Sequence, residues 1–199
     1  MKSLDASTRD RILAVAGTVF YQKGLSGARM QEIADLAGIN KAMLHYYFKS
    51  KEQLFDTVFQ QALGQFLGGI GQVLNGEAAL PAKIEQYVAY TTTALAETPG
   101  LAAFIVHELQ QHPERLSKQF GDSRLVNLDA FRQQLAAANA RYQAPHAAEH
   151  FFANMVALCV YPVLAQPLLS RLLHQSEAQY RRFLGERAAH ITQLLLEQL

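Results

Sequence analysis

Residues 30–48 read MQEIADLAGINKAMLHYYF, and their spacing decides the fold of the surrounding region. Ile33, Ala34 and Ala37 recur at i, i+1 and i+4, which gathers them on one side of a short helix. Gly38 interrupts that pattern. Asn40 is a residue type whose side chain caps a following helix, here spanning about 41–47. Leu44 and Phe48 then point inward with Ile39. The stretch predicts two short helices joined by a glycine turn.

Working outward, Ile12, Val15, Ala16, Val19 and Phe20 form an amphipathic stripe before this pair. Ser7 and Asp10 make a capping-box pattern at the expected start of that helix, and Gly24 is placed to end it. After the pair, Ser50 with Gln53 opens a longer helix carrying Leu54, Phe55, Val58, Phe59, Leu63, Phe66 and Leu67. Gly68, Gly69 and Gly71, then Asn75-Gly76, are expected to weaken and end it. Further helices are expected near 80–97, 101–111, 123–142, 145–164 and 176–199, with stops at Pro99-Gly100, Pro113, Gly121-Asp122 and Pro145. Pro162 and Pro167 should kink or interrupt the 145–164 segment. No strand pattern appears, so the chain reads as all-α. The expected division is a head at 1–50 and a larger helical body at 51–199.

Charge separates these parts more clearly than the overall composition does. The 199 residues are half hydrophobic and 18% charged, with a net charge of only +1. Residues 1–51 nevertheless hold eight basic side chains against four acidic ones, a net of +4, leaving −3 on the rest. A positive head on a slightly negative body suits a polyanion partner. Two short helices with a glycine turn and basic surroundings form a helix-turn-helix, whose second helix enters the major groove of DNA. The residues at its exposed start, Asn40, Lys41, Ala42 and Met43, are the candidate base contacts. Arg29, His45, Tyr46, Tyr47, Lys49 and Lys51 are candidate phosphate contacts, which set register and carry little sequence information.

Ile12, Ala16, Phe20, Gly24, Ile33, Ala34, Ala37, Gly38, Leu44, Tyr47, Phe48, Lys51 and Leu54 together resemble the tetracycline-repressor (TetR) family pattern. That pattern is an amphipathic helix, a glycine, an "IA…AG" turn and an "LYxYF" exit. Ala28-Arg29 stands where the family usually has Thr, and His45 where it usually has Tyr. A contact from His45 to phosphate would be pH-sensitive near neutrality. The resemblance implies a homodimeric repressor released from a palindromic operator by a small ligand. It also implies a body whose last long helices pair across a two-fold axis. On that basis Phe152, Met155, Cys159, Phe183, Leu184, Ile191 and Leu195 are candidate interface residues. Phe66, Tyr87, Tyr90, Phe104, His107, Phe131 and Tyr161 are candidate linings for an apolar or aromatic ligand.

Other chemistry has little support in the sequence. His146, Glu149 and His150 match an H-x-x-E-H zinc-hydrolase spacing, but no further ligand can be singled out. No glycine-rich phosphate loop or nucleophile elbow is present, so no catalytic residue, metal or cofactor is expected. A body that binds a protein instead of a small molecule is the other alternative. One cysteine, Cys159, permits no intramolecular disulfide. No uninterrupted apolar run approaches the roughly 20 residues that span a bilayer. The polar start MKSLDASTRD lacks an apolar signal core, and the expectation is a cytoplasmic protein without a membrane partner.

Overall fold

A computed structural model of the chain describes residues 2–120 and 127–199, with side chains over 7–118 and 127–199. Among these residues all regular structure is helical, matching the all-α expectation. The chain forms two compact units, Met1–Gln65 with Ala103–Gln119, and Phe66–Ala102 with Phe120–Leu199.

The first unit contains α1 (Lys2–Gly27), α2 (Met30–Leu36), α3 (Lys41–Tyr47) and the first half of α4 (Lys51–Asn75). Most of α6 (Leu101–Gln111) and of α7 (Glu114–Phe120) joins it from farther along the chain. Ile12, Ala16, Phe20, Ile33, Ala34, Leu44, Leu54 and Phe55 are fully buried, so the predicted stripes do meet. Burying each large member contributes about 1.5–3 kcal/mol. The ring of Phe55 on α4 stands edge-on to Phe20 of α1 at 5.0 Å. This contact, with buried Val58 and Phe59, explains why the compact units divide within α4 and not near residue 50.

Two local expectations change here. α1 runs straight through Ser7 and Asp10, because nothing in KSLDA interrupts a helix, so the expected capping box is not its start. Gly24, at φ +64°, does end the regular turns. α7 was not expected. Its sequence ERLSKQF has no apolar period, and it follows Pro113.

The second unit holds the end of α4, α5 (Leu80–Glu97), α8 (Leu128–Ala138) and a 3-10 turn at Ala140–Gln143. α9 (Ala147–Leu164), α10 (Gln166–Leu172) and α11 (Glu177–Leu196) complete it. Its core gathers Leu74, Ile84, Tyr87, Val88, Phe131, Leu135, Met155, Ile191 and Leu195. The expected helix at 123–142 is shorter. Asn127 caps α8 through Asp129 N at 2.9 Å, and the backbone leaves the helix at Asn139. The expected stop at Gly121-Asp122 and start at Ser123 lie outside the described residues.

α4 ends at Asn75, as the Asn75-Gly76 stop predicts, and runs unbroken through Gly68, Gly69 and Gly71. Gly69 instead makes room for Tyr90. A Cβ at that position would lie 2.1 Å from Cζ of the Tyr90 ring, which stacks on Phe66 with centroids 6.3 Å apart. The Tyr90 hydroxyl donates to the Phe66 carbonyl at 3.3 Å. Gly69→Ala gains about 1 kcal/mol of helix propensity but displaces this ring, at a cost of about 1–3 kcal/mol. The expected net is a loss of about 1 kcal/mol in urea unfolding. A stabilised variant would show that the ring moves aside freely.

At the other end of the unit, Pro162 sits inside α9. It has no N–H, so the carbonyl four residues earlier loses its helical donor. That carbonyl, of Leu158, accepts instead from the Arg187 guanidinium at 3.5 Å. The Pro162 carbonyl accepts from the Tyr180 hydroxyl at 2.7 Å. Arg187 and Tyr180 both lie on α11, seven residues apart, so α11 satisfies the backbone defect of α9. α9 ends at Leu164, and Pro167 occupies the first turn of α10, so the expected interruption is present.

The expected pairing surface needs correction. Met155, Cys159, Ile191 and Leu195 are buried in this unit's own core, and no second copy can use them. α9 is apolar on more than one face, and the sequence did not distinguish inner from outer positions. Phe152, Phe183 and Leu184 are half-buried. Tyr161 on α9, and Leu168 and Leu172 on α10, are 55%, 54% and 63% exposed. α10 buries none of its residues.

Candidate nucleic-acid interface

The turn between α2 and α3 is built from backbone needs. Gly38 adopts φ +65°, a conformation that glycine takes without the penalty a Cβ imposes. The Arg11 Nε of α1 donates to the Ala37 carbonyl at 2.9 Å, closing the end of α2. Lys23 of α1 pairs with Glu32 of α2 at 2.5 Å. α2 starts at Arg29 without a side-chain cap, and buried Ala28 precedes it. The Lys51 ammonium reaches back from α4 to donate to the Ala28 carbonyl at 3.2 Å. The sequence did not show these braces, because each joins residues far apart in the chain.

The candidate contacts therefore separate by position. Asn40 caps α3 with its Oδ1, which accepts from Met43 N at 2.7 Å. Lys41, Ala42 and Met43 are exposed, as are Arg29, His45, Tyr46 and Lys49. Leu44 is fully buried and Phe48 nearly so, with the Arg9 guanidinium 5.5 Å from the Phe48 ring centroid. Tyr47 is half-buried and meets the Tyr46 ring edge-on at 5.4 Å. Lys51 is tied to the Ala28 carbonyl more than it is presented to solvent. The rest form one outward surface of basic and aromatic side chains on a buried base.

The candidate ligand linings do not gather in one unit. Phe104 and His107 belong to the first unit, and Phe66, Tyr87, Tyr90, Phe131 and Tyr161 to the second. Phe104 is buried among Tyr21, Phe55 and Phe59, with ring centroids at 5.0, 5.3 and 5.7 Å. It is a structural residue of the head. His107 and Tyr161 are exposed. Phe131 packs on Phe151 at 6.0 Å, and Tyr87 on Phe152 at 6.1 Å. Burial holds the Tyr87 phenol well above its ordinary range. A cleft of about 130 Å³ in the first unit is lined by Asp56, Phe59, Gln60, Glu114, Arg115 and Lys118, none of them an expected lining residue.

The zinc-hydrolase spacing is answered by geometry. Glu149 of the H-x-x-E-H match is bound by Arg132 at 2.6 Å, and His146 precedes α9 with φ +62°. Among the described residues no three His, Cys, Asp or Glu side chains converge as metal ligands would. The Cys159 thiol is buried, and its pKa is pushed up to about 12 by that burial. A thiol in that state is a packing group.

Residues 12–58 match the family model described as bacterial regulatory proteins, tetR family. The chain is 40% identical over 73 residues to the HTH-type transcriptional repressor KstR2 of Mycolicibacterium smegmatis, covering 37% of this chain and 36% of that protein. It is 37% identical over 122 residues to the HTH-type transcriptional regulator RutR of Escherichia coli, covering 61% and 57%. The aligned segments thus span about a third to three-fifths of those relatives. The fold is also that of the fatty acid degradation regulator FadR from Bacillus halodurans, with TM-score 0.60, 20% identity and 94% of each chain covered. FadR from Bacillus subtilis, solved with stearoyl-CoA, gives TM-score 0.58 at 13% identity, covering 92% of this chain and 96% of that one. Residues 12–58, which hold the helix-turn-helix, thus match the tetR family of bacterial regulatory proteins, as the pattern in the sequence implies.

Proposed function

We propose that the chain is a DNA-binding transcription regulator, a homodimer that holds a palindromic operator and is released by a small apolar or aromatic ligand. One observation carries the proposal. α3 turns Lys41, Ala42, Met43 and His45 outward while Leu44 and Phe48 anchor it in the head. A helix of seven residues reads few base pairs, so two heads on successive major grooves are needed for specificity. The exposed Tyr161, Leu168 and Leu172 supply an apolar surface for the second copy. α9 is long and apolar enough by composition to be considered for a bilayer. It carries Glu149 and Asn154, however, and buries five of its 18 residues in the protein core, so pairing suits it better. The site of action is the bacterial cytoplasm, where the DNA is.

The stearoyl-CoA bound to a protein of like fold supports an apolar ligand class and places acyl compounds in the first panel to try. α4 is one continuous helix whose residues belong to both units, and it is the element on which ligand and DNA would act. A ligand that weakens DNA binding 100-fold needs about 2.7 kcal/mol of coupling, an ordinary value.

The test is selection of binding sites from random DNA, which is expected to return a palindrome. On that operator, Lys41→Ala should weaken binding about tenfold, losing a base-edge donor. Tyr47→Phe should weaken it about threefold across all sequences, losing a phosphate contact. Equal affinities for all three proteins would remove α3 from the interface. Thermal shifts against the panel then test the ligand, since true ligands stabilise by mass action.

A further inference from the structure

We infer that α3 reads its half-site chiefly through thymine methyl groups, using an apolar stripe made by Ala42, Met43 and Tyr46. This rests on the DNA-binding reading above and names the base chemistry that reading selects. With 3.6 residues per turn, the side of α3 opposite buried Leu44 and Phe48 is centred on Ala42 and Tyr46, one turn apart. Met43 lies on one flank, and Lys41 with His45 on the other. Tyr46 is 69% exposed, the highest value among the large apolar side chains of the described residues, and Met43 is 44% exposed.

Helical side chains lean toward the N-terminus, so the Tyr46 ring leans over the turn that carries Ala42. The ring is supported from behind. The Lys49 ammonium lies 5.9 Å from its centroid and donates to the Tyr46 carbonyl at 3.5 Å, and the Tyr47 ring meets it edge-on. The Asn40 carbonyl oxygen is held against the helix start by the Met43 N–H, which spends one of its two lone pairs there. The part of α3 that projects farthest therefore presents a methyl, a thioether and an aromatic face.

In the major groove, the thymine 5-methyl is the group that matches such a surface. Ala42, ending at Cβ, also lets the helix backbone come close to the base edges. Tyr46 moves on this view from the phosphate contacts to the base-reading set. Covering one methyl group is worth about fourfold in affinity, the value of one buried methylene-sized group.

The experiment uses the full chain and the operator returned by selection. Each thymine is replaced in turn by deoxyuridine, which keeps the hydrogen-bonding groups and lacks the methyl. One or more positions in each half-site should lose about fourfold in affinity. Met43→Ala or Tyr46→Ala should then bind the thymine and uracil forms alike at its own position. Both side chains are exposed, so the variants should keep the parent's melting curve. If either fails to fold, the scan on the unaltered chain still decides. A fully uracil-substituted operator bound as tightly as the original, with sequence preference kept, would overturn thymine reading and leave DNA binding standing. Finding no preferred sequence at all would overturn both.

Discussion

Phe104→Ala is expected to lower the unfolding free energy by about 3–5 kcal/mol, the cost of truncating a buried phenylalanine that cannot be refilled. The ring touches Tyr21, Phe55 and Phe59 at once, so its removal opens a void where α1, α4 and α6 meet. The neighbouring Arg115 sharpens the expectation. Its guanidinium lies 5.8 Å from the Phe55 centroid and 5.4 Å from that of Phe59, and pairs with Asp56 at 2.5 Å and Glu108 at 3.5 Å. A gap beneath these rings loosens that array as well. Chemical unfolding followed by near-ultraviolet circular dichroism would measure the loss, with operator affinity at low temperature as a second readout. A ligand-lining Phe104 would instead leave stability almost unchanged and alter only the response to ligand. That outcome would mean the head does not need the 103–119 segment.

The second large effect concerns assembly. On the pairing proposed above, replacing Leu168 and Leu172 together by glutamate should raise the dimer dissociation constant about 100-fold or more. This corresponds to roughly 3 kcal/mol for placing two carboxylates in an apolar contact. Operator binding should fall with it, because a single α3 makes too few contacts to hold a half-site alone. Stability of the isolated subunit should hardly change, since α10 buries none of its residues. Sedimentation equilibrium separates the two quantities. If the variant sediments as the parent does, the second copy sits elsewhere.

How far the sequence carried these conclusions depended on how local each signal was. The boundaries of α2 and α3 were legible within a residue because Gly38 and Asn40 act on their immediate neighbours. The start of α11 was equally legible, where Ser176 and Gln179 form a reciprocal cap, but its end falls at Leu196 and not at 199. α7 left no trace, because its main anchor, Arg115, finds partners on α4 and α6. Four of the seven expected pairing residues, Met155, Cys159, Ile191 and Leu195, prove to be buried, which the sequence hid for a different reason. On α9, Met155 and Cys159 look as suitable for a partner as Tyr161 does, and only packing separates them. Tyr90 and Gly69 show a third limit. A run of glycines signals a weak helix to any local rule, while here one of them makes room for a ring 21 residues away.

The proline in α9 has a consequence for how the sequence around it can change. Sliding α11 by one turn along α9 would leave two main-chain oxygens, of Leu158 and Pro162, without donors. The alignment of the two helices is thereby keyed to the peptide backbone instead of to the apolar residues around it. Outward-facing side chains on either helix can therefore be exchanged without loosening the scaffold that displays them.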